Sequence, residues 1–318
     1  MTNHEIKSLP IGVRVFPAPT DVDGNTRSKK EWRQPAGMLV IHTEGSDDAA
    51  QKLLLGSARL IIAGQCVEEC LFHSVLAKAA LRTVKKYAEH HAAETGAGGF
   101  KQLRLLNLRE FVKVFYDLAY KARCLVVGSN LPVHLSRLAF DSAPARGFFA
   151  GGFSLGLWTY TDRNGRERLD GFRPRICIKY IDNKRAFIGF TARYSPDKED
   201  LIPEGSATGE PQAGYIFPGH FLDLRTLAFA LTDEVYSLEG ACEAFGVEYE
   251  VEPALSRSFI TEEYIDATRR TVSASSELAR KLLDELAKHP IALPPTQAFS
   301  PASLGKAYLR AMGIETTL

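Results

Sequence analysis

The chain has 318 residues, a length that suits one α/β core carrying a sizeable insertion. Its hydrophobic fraction of 45% and charged fraction of 24% are those of an ordinary globular protein. The formal net charge of +1 excludes a globally basic chain, so contact with nucleic acid needs a local basic patch. No apolar stretch approaches the ~20 residues of a membrane span, and we expect no membrane partner.

The cysteines and the basic clusters also bear on the class of protein. An odd, scattered set of five cysteines is not a disulfide framework, so buried thiols and a cytoplasmic location are expected. Two basic clusters favour solvated loops over a binding site. They are Arg27, Lys29, Lys30 and Arg33 near the start, and Arg163, Arg166 and Arg168 in the middle.

The first half of the chain predicts an irregular arm and then alternating strands and helices. Residues 1–37 are rich in proline, glycine and charge, which indicates the arm. Apolar runs at 38–43, 59–63 and 65–74 predict an antiparallel meander. Helical spacing covers 74–91 and 108–123, and the run 124–128 is typical of a buried parallel strand followed by a short helix.

The second half begins with a β-rich insertion at about 148–215. Residues 153–160, 176–181 and 185–191 alternate like strands, and 197–212 form a loop rich in proline, glycine and charge. A last strand at 221–224 enters a helix at 225–231. A helix at 237–246, with a serine cap and a glycine stop, and a long helix at 261–289 follow.

The most informative segment is Gly128-Ser-Asn-Leu-Pro-Val-His-Leu-Ser-Arg-Leu-Ala139. It resembles the second exonuclease motif of the DEDD-type 3′–5′ proofreading exonuclease domains of DNA polymerases. Residues 48–57, 221–228 with 237–246, and 300–308 also resemble that family, in the right order. The resemblance implies an RNase H-like α/β domain over 38–299, with a mixed five-stranded sheet flanked by helices. It also implies that 300–318 matches the junction to a polymerase region.

In that family four carboxylates from three motifs hold two divalent ions that hydrolyse the phosphodiester bond. The resemblance places the first motif at His42-Thr43-Glu44, where only Glu44 keeps its carboxylate. It places the second aspartate at His134 and the third at Thr271. One carboxylate cannot offset the repulsion between two hard cations, so we expect loss of the two-metal reaction.

Three functions follow as alternatives. The first is an inactive, exonuclease-like module that needs no cofactor and binds single-stranded DNA or RNA, with Asn130, Arg269 and Arg270 at the interface. Its protein partner would be a separate polymerase or another nucleic-acid-processing protein. The second is an active nuclease with one transition metal, Zn²⁺ or Mn²⁺, on His42, Glu44 and His134. The third is a structural or partner-binding module that uses the aromatic stretch 148–160. Asp223 is interpreted as a cap or a structural carboxylate and not as a ligand.

Overall fold

A computed structural model of the chain describes residues 32–96, 101–191, 217–250 and 259–314. Residues 1–31 of the arm predicted over 1–37, and the loop predicted at 197–212, lie outside the described residues. A six-stranded mixed sheet forms the centre of the molecule, in the order β12-β5-β1-β2-β3-β4. Its strands are β1 (Gly37–Gly45), β2 (Leu53–Ile62), β3 (Gln65–His73), β4 (Arg104–Asn107), β5 (Leu125–Gly128) and β12 (His220–Asp223).

Strand directions in this sheet confirm the predicted meander and the predicted parallel strand. β1 pairs with β2, and β2 with β3, in antiparallel ladders, whereas β5 runs parallel to β1 and β12 parallel to β5. The predicted count of five strands is wrong, because β4 adds to β3 in parallel at the edge. Only four residues long and exposed at both ends, β4 is too short to produce a recognisable alternation.

The part of the chain between β5 and β12 forms a second, antiparallel sheet, in the order β11-β10-β7-β6. A separate hairpin, β8–β9, adjoins this sheet. The run predicted as one strand at 153–160 is divided in two, because Leu157 and Trp158 turn into the core. The indole N–H of Trp158 donates to the carbonyl oxygen of Pro174. The strands are β6 (Asp141–Pro144), β7 (Phe153–Gly156), β8 (Thr159–Thr161), β9 (Glu167–Leu169), β10 (Arg175–Tyr180) and β11 (Ala186–Thr191).

Side-chain caps fix the starts of several helices. The amide of Glu110 donates to the side chain of Asn107, and Ser237 and Thr261 accept in the same way from Gly240 and Tyr264. Of the helices in the described part of the chain, none combines the length and apolarity that crossing a bilayer requires. The helices are α1 (Lys78–His90), α2 (Leu108–Tyr116), α3 (Leu131–Arg137), α4 (Leu224–Thr232), α5 (Leu238–Ala244), α6 (Glu262–Ala287) and α7 (Pro301–Ala311).

The two faces of the central sheet carry different layers, because side chains alternate along each strand. Leu39 and Ile41 of β1 pack with α2, α3 and the second sheet. Val40, between them, packs on the other face with α4, α5, α6 and α7. α1 lies on that second face too, where its Val84 and Tyr87 contact α6. Polar residues that continue β1 past its apolar run therefore also alternate between these two layers.

Candidate functional site

Three of the residues singled out by the sequence meet where β1 ends. β1, β5 and β12 are parallel, so their carboxyl ends share one edge of the sheet. His42 and Glu44 are among the last residues of β1. His134 belongs to α3, the helix that starts just after β5. A side chain at Gly128, the last residue of β5, would meet the His134 ring and the Ile41 carbonyl oxygen at 3.1 Å. Glycine there lets α3 approach β1 closely.

His42 and Glu44 form a direct pair. Being two residues apart on a strand, they project to the same face, the one that carries α6. The Nε2 atom of His42 lies 2.7 Å from Oε1 of Glu44, and the two side chains are 15% and 22% exposed. The retained carboxylate is therefore engaged by the imidazole that stands where the family resemblance places an aspartate.

His134 is buried beside the end of β1. Its Nδ1 accepts the backbone N–H of Thr43 at 3.3 Å and lies 3.0 Å from the Thr43 hydroxyl. Burial lowers the pKa of His134 well below its usual value, and the neighbouring His42 and Arg137 add to this effect. Its ring stands edge-on to that of His42, with 4.8 Å between centroids. His134 is therefore a neutral imidazole that packs and orients the end of β1.

Arg137 is a site residue that the sequence-based reasoning missed. It lies one turn after His134 on α3, and its guanidinium donates to the carbonyl oxygen of Thr43. A second amino group donates to Oε1 of Gln51 at 3.2 Å, so the arginine ties α3 to β1 and to the turn before β2. The spacing in the sequence could have identified Arg137, because a residue three positions after His134 lies on the same face of a helix. Arg137 places a permanent positive charge beside the histidines.

Thr271 lies on α6, which packs on β1 and β2 from the face that carries His42. Its hydroxyl donates to the Ala267 carbonyl oxygen at 2.9 Å and lies 3.1 Å from the Tyr249 hydroxyl. This buried threonine supplies no charge. The structure thus gathers His42, Glu44 and His134 into one cluster, while Thr271 is hydrogen bonded to its own helix and to Tyr249.

The turn from β5 into α3 is held by a carboxylate. Asn130 has the left-handed backbone with φ of 62°, which asparagine tolerates better than most residues. Oδ1 of Asp223 accepts the backbone N–H groups of Asn130 at 2.8 Å and Leu131 at 3.2 Å, and Oδ2 lies 3.1 Å from the Thr226 hydroxyl. Asp223 is thus a structural carboxylate that holds the start of α3, while its own helix, α4, has no side-chain cap. Burial raises the pKa of this carboxyl.

The two arginines predicted at a nucleic-acid interface have different surroundings. Arg269 is buried and donates two hydrogen bonds to Glu69, at 2.9 and 2.8 Å. It also donates to the Tyr87 hydroxyl at 2.9 Å and to the Ala92 carbonyl oxygen at 3.0 Å. With its donors occupied by protein acceptors, Arg269 is a structural residue and not a phosphate ligand. Arg270, the next residue, is exposed.

The donor set at this site does not fit a pair of hard cations. Such ions prefer several oxygen ligands, and Glu44 is the single carboxylate among the three clustered residues. Its Oε1 is hydrogen bonded to His42, and Nδ1 of His134 is occupied by the Thr43 amide. Within residues 32–96, 101–191, 217–250 and 259–314, no group of three histidine, cysteine or acidic side chains is arranged to hold a metal ion.

No protein-family model and no curated protein matches this chain. The fold and the site therefore define the class of protein. It is a mixed α/β protein whose central sheet is flanked by helices, with two histidines and one carboxylate clustered where the parallel strands end.

Proposed function

We propose that this chain is a nucleic-acid-binding module of RNase H-like, exonuclease-derived fold that has lost two-metal 3′–5′ cleavage. The observation that carries the proposal is the site at the end of β1. Where the resemblance expects aspartates, the chain has His42, His134 and Thr271. The remaining carboxylate, Glu44, is hydrogen bonded to His42.

The topology of the sheet supports an RNase H-like fold. Three antiparallel strands, then a helix, then parallel strands and helices are the order expected for that fold. β1, β2 and β3 form such a meander, and β5 and β12 extend the sheet in parallel on the other side of β1. The polymerase-like motif 128–139 covers the end of β5 and all of α3, the place that positions His134.

Electrostatics favour binding of nucleic acid over its cleavage. Two divalent ions need several carboxylates to offset their mutual repulsion, and only Glu44 is provided. Neutral side chains at the other positions remove charges that repel phosphate, and Arg137 adds a positive charge. We expect single-stranded DNA or RNA as the ligand. A separate polymerase or another nucleic-acid-processing protein is the expected protein partner.

The test combines a binding assay with a cleavage assay. Fluorescence anisotropy of labelled single-stranded DNA and RNA should show affinity that falls steeply as salt rises. The same strands, incubated with Mg²⁺ or Mn²⁺, should remain intact on a denaturing gel. Cleavage by the purified protein that disappears in His42→Ala would contradict the loss of activity, and absence of binding at low salt would contradict the ligand class.

Restoring the missing carboxylates tests the family resemblance itself. In the triple variant His42→Asp, His134→Asp, Thr271→Asp, we expect cleavage of single strands that the wild-type protein lacks, because the chain then has a carboxylate at each of the four positions that the resemblance assigns. The matched control adds Glu44→Gln to the triple variant and should abolish the restored activity. An equally low rate in all three proteins would count against the assignment of these positions.

A further inference from the structure

The hairpin β8–β9 presents an exposed face that combines basic and aromatic side chains. Tyr160 stands directly opposite Arg168 in the ladder, and the Asp162 amide donates to the Arg166 carbonyl oxygen at 2.8 Å. By the alternation of a strand, the side chains of Tyr160, Asp162, Arg166 and Arg168 share one face. Half of Tyr160 is exposed, at 51%.

The other face of the hairpin is fixed to the body of the protein. The Nη2 group of Arg109, on α2, donates to the Thr161 hydroxyl at 2.8 Å, and its Nε lies 4.0 Å from Glu167. Next to the hairpin, the guanidinium of Arg173 stands 4.4 Å from the centre of the Tyr116 ring on α2. These contacts hold the exposed face in a defined orientation, so it is not a freely moving basic loop.

Positive charge is in excess along the exposed side of the hairpin and at its turn. Arg168 is paired with Asp162 at 3.2 Å, and the same carboxylate accepts the backbone amides of Asn164 and Arg166 at 2.9 Å. The side chains of Arg163 and Arg166 are exposed and form no ion pair within the described part of the chain. These two guanidinium groups, which have no acceptor among the described residues, are available to an anionic ligand.

An exposed ring follows the hairpin. The side chain of Phe172 is 102% exposed, while its backbone is held in a turn, because its amide donates to Oδ1 of Asp170 at 3.0 Å. The amide of Asp170 in turn donates to the carbonyl oxygen of buried Trp158 at 2.8 Å. An aromatic ring that is exposed to water, in the same short segment as the two arginines, suits stacking with a planar ligand.

We propose that the exposed side chains of Tyr160, Arg163, Arg166 and Phe172, in the hairpin and the segment just after it and here named the hairpin surface, bind a single strand of DNA or RNA. The arginines contact phosphates, and the rings stack on bases, which are accessible only in an unpaired strand. The inference rests on the proposed function, and it adds a contact surface separate from the His42 cluster. An acidic protein segment would use the arginines alone and leave the rings without a role.

Salt dependence tests the phosphate contacts. For Arg163→Gln with Arg166→Gln, the slope of log affinity against log salt for a labelled oligothymidine should decrease by about 1.4, since each phosphate contact on a single strand contributes roughly 0.7. The matched control, Arg82→Gln with Arg310→Gln, removes two exposed arginines from α1 and α7 on the opposite face. It should retain the wild-type slope.

Base stacking is tested separately. Tyr160→Ala and Phe172→Ala should each weaken binding roughly tenfold while the salt slope stays unchanged, because base–aromatic stacking carries no charge. The loss should vanish when the oligonucleotide is abasic. A polyglutamate peptide that displaces the strand equally from the wild-type protein and from both ring variants would identify an acidic protein ligand and overturn the proposal.

The outcomes separate this inference from the proposed function. If the wild-type protein binds the strand, but the arginine variant and its control have the same slope, the hairpin surface is not the contact. The nucleic-acid module itself then stands. If the wild-type protein binds no strand at low salt, the proposed function fails as well. Thermal unfolding of each variant at the wild-type midpoint verifies that the exposed substitutions leave the fold intact.

Discussion

A single imidazole, that of His134, makes the end of β1 sensitive to pH. Burial holds the pKa of His134 well below its usual value, whereas in the unfolded chain it titrates near ~6.5. As pH falls below about 6.5, His134 becomes protonated in the unfolded state but stays neutral in the folded state. The free energy of unfolding therefore decreases from its value at neutral pH. One proton accounts for up to ~1.4 kcal/mol per pH unit until the folded pKa is reached.

The His134→Gln variant should therefore show a shallower loss of stability with acidity than the wild-type protein. Urea unfolding at several values from pH 7 to pH 5 measures this difference. Removing the exposed imidazole of His90 by His90→Gln is the matched control and should leave the wild-type profile. Parallel profiles for the wild-type protein and His134→Gln would show that the buried ring does not control acid stability.

Metal content is a second property that single residues decide. A metal ion on His42, Glu44 and His134 would have to break the His42–Glu44 hydrogen bond, and Glu44 would be its only charged ligand. We therefore expect far less than one equivalent of zinc or manganese in protein purified with either ion. Elemental analysis measures this, with the double variant His42→Ala, His134→Ala as the control. One equivalent that the double variant loses would instead establish a metal site.

At the scale of elements, the position of α6 depends on a buried ion pair. Glu69 on β3 accepts two hydrogen bonds from Arg269 and a third from Arg59 at 3.2 Å, and its carboxylate is fully buried. Desolvation by burial raises the pKa of Glu69, but the hydrogen bonds and charges of the two guanidinium groups lower it by more. The pKa of Glu69 is therefore below its usual value. The pair fixes the register of the helix that carries Thr271.

Glu69→Ala should cost ~3–5 kcal/mol of unfolding free energy, because it leaves two buried guanidinium groups with only the exposed carboxylate of Glu94 nearby. Denaturant unfolding at neutral pH measures the change. Glu277→Ala breaks an exposed pair with Arg280 on the same helix and should cost only ~0–1 kcal/mol. Equal effects of the two substitutions would contradict the anchoring role of Glu69.

Local patterns account for most of the elements that the sequence predicted. The runs that became β1, β2, β3 and β5 are apolar and short, and the caps Ser237 and Thr261 mark helix starts directly. The two-residue spacing of His42 and Glu44 already implied a shared face. These are properties of neighbours in the chain, so a single sequence contains them.

Long-range contacts explain what the sequence did not predict. Arg269 and Glu69 are 200 positions apart, and helical periodicity alone does not distinguish a buried arginine with such a partner from a solvent-facing one. The hydrogen bond between Tyr249 and Thr271 likewise joins α6 to residues outside it. The edge strand β4 was missed because four residues are too few for a pattern.

On the scale of the whole molecule, the second sheet and the central sheet share one core. A single cluster of buried side chains contains Phe115 of α2, Leu135 of α3 and, from the second sheet, Leu155 and Ile176. Trp158 lies in the same cluster, with 6.1 Å between its ring centre and that of Phe115. Neither layer can be exposed without opening the apolar interior of the other, so we expect the two to unfold together.

Trp158→Ala should therefore destabilise the entire chain, by ~3–5 kcal/mol, because it removes a ring that is only 1% exposed from this shared core. In a Trp32→Phe background the fluorescence of Trp158 reports on the second sheet, and its midpoint in urea should coincide with that of the far-ultraviolet circular dichroism. Phe172→Ala, which removes a solvent-exposed ring, should change stability by no more than about 0.5 kcal/mol. A fluorescence transition that precedes the loss of secondary structure would show instead that the second sheet unfolds as a separate unit.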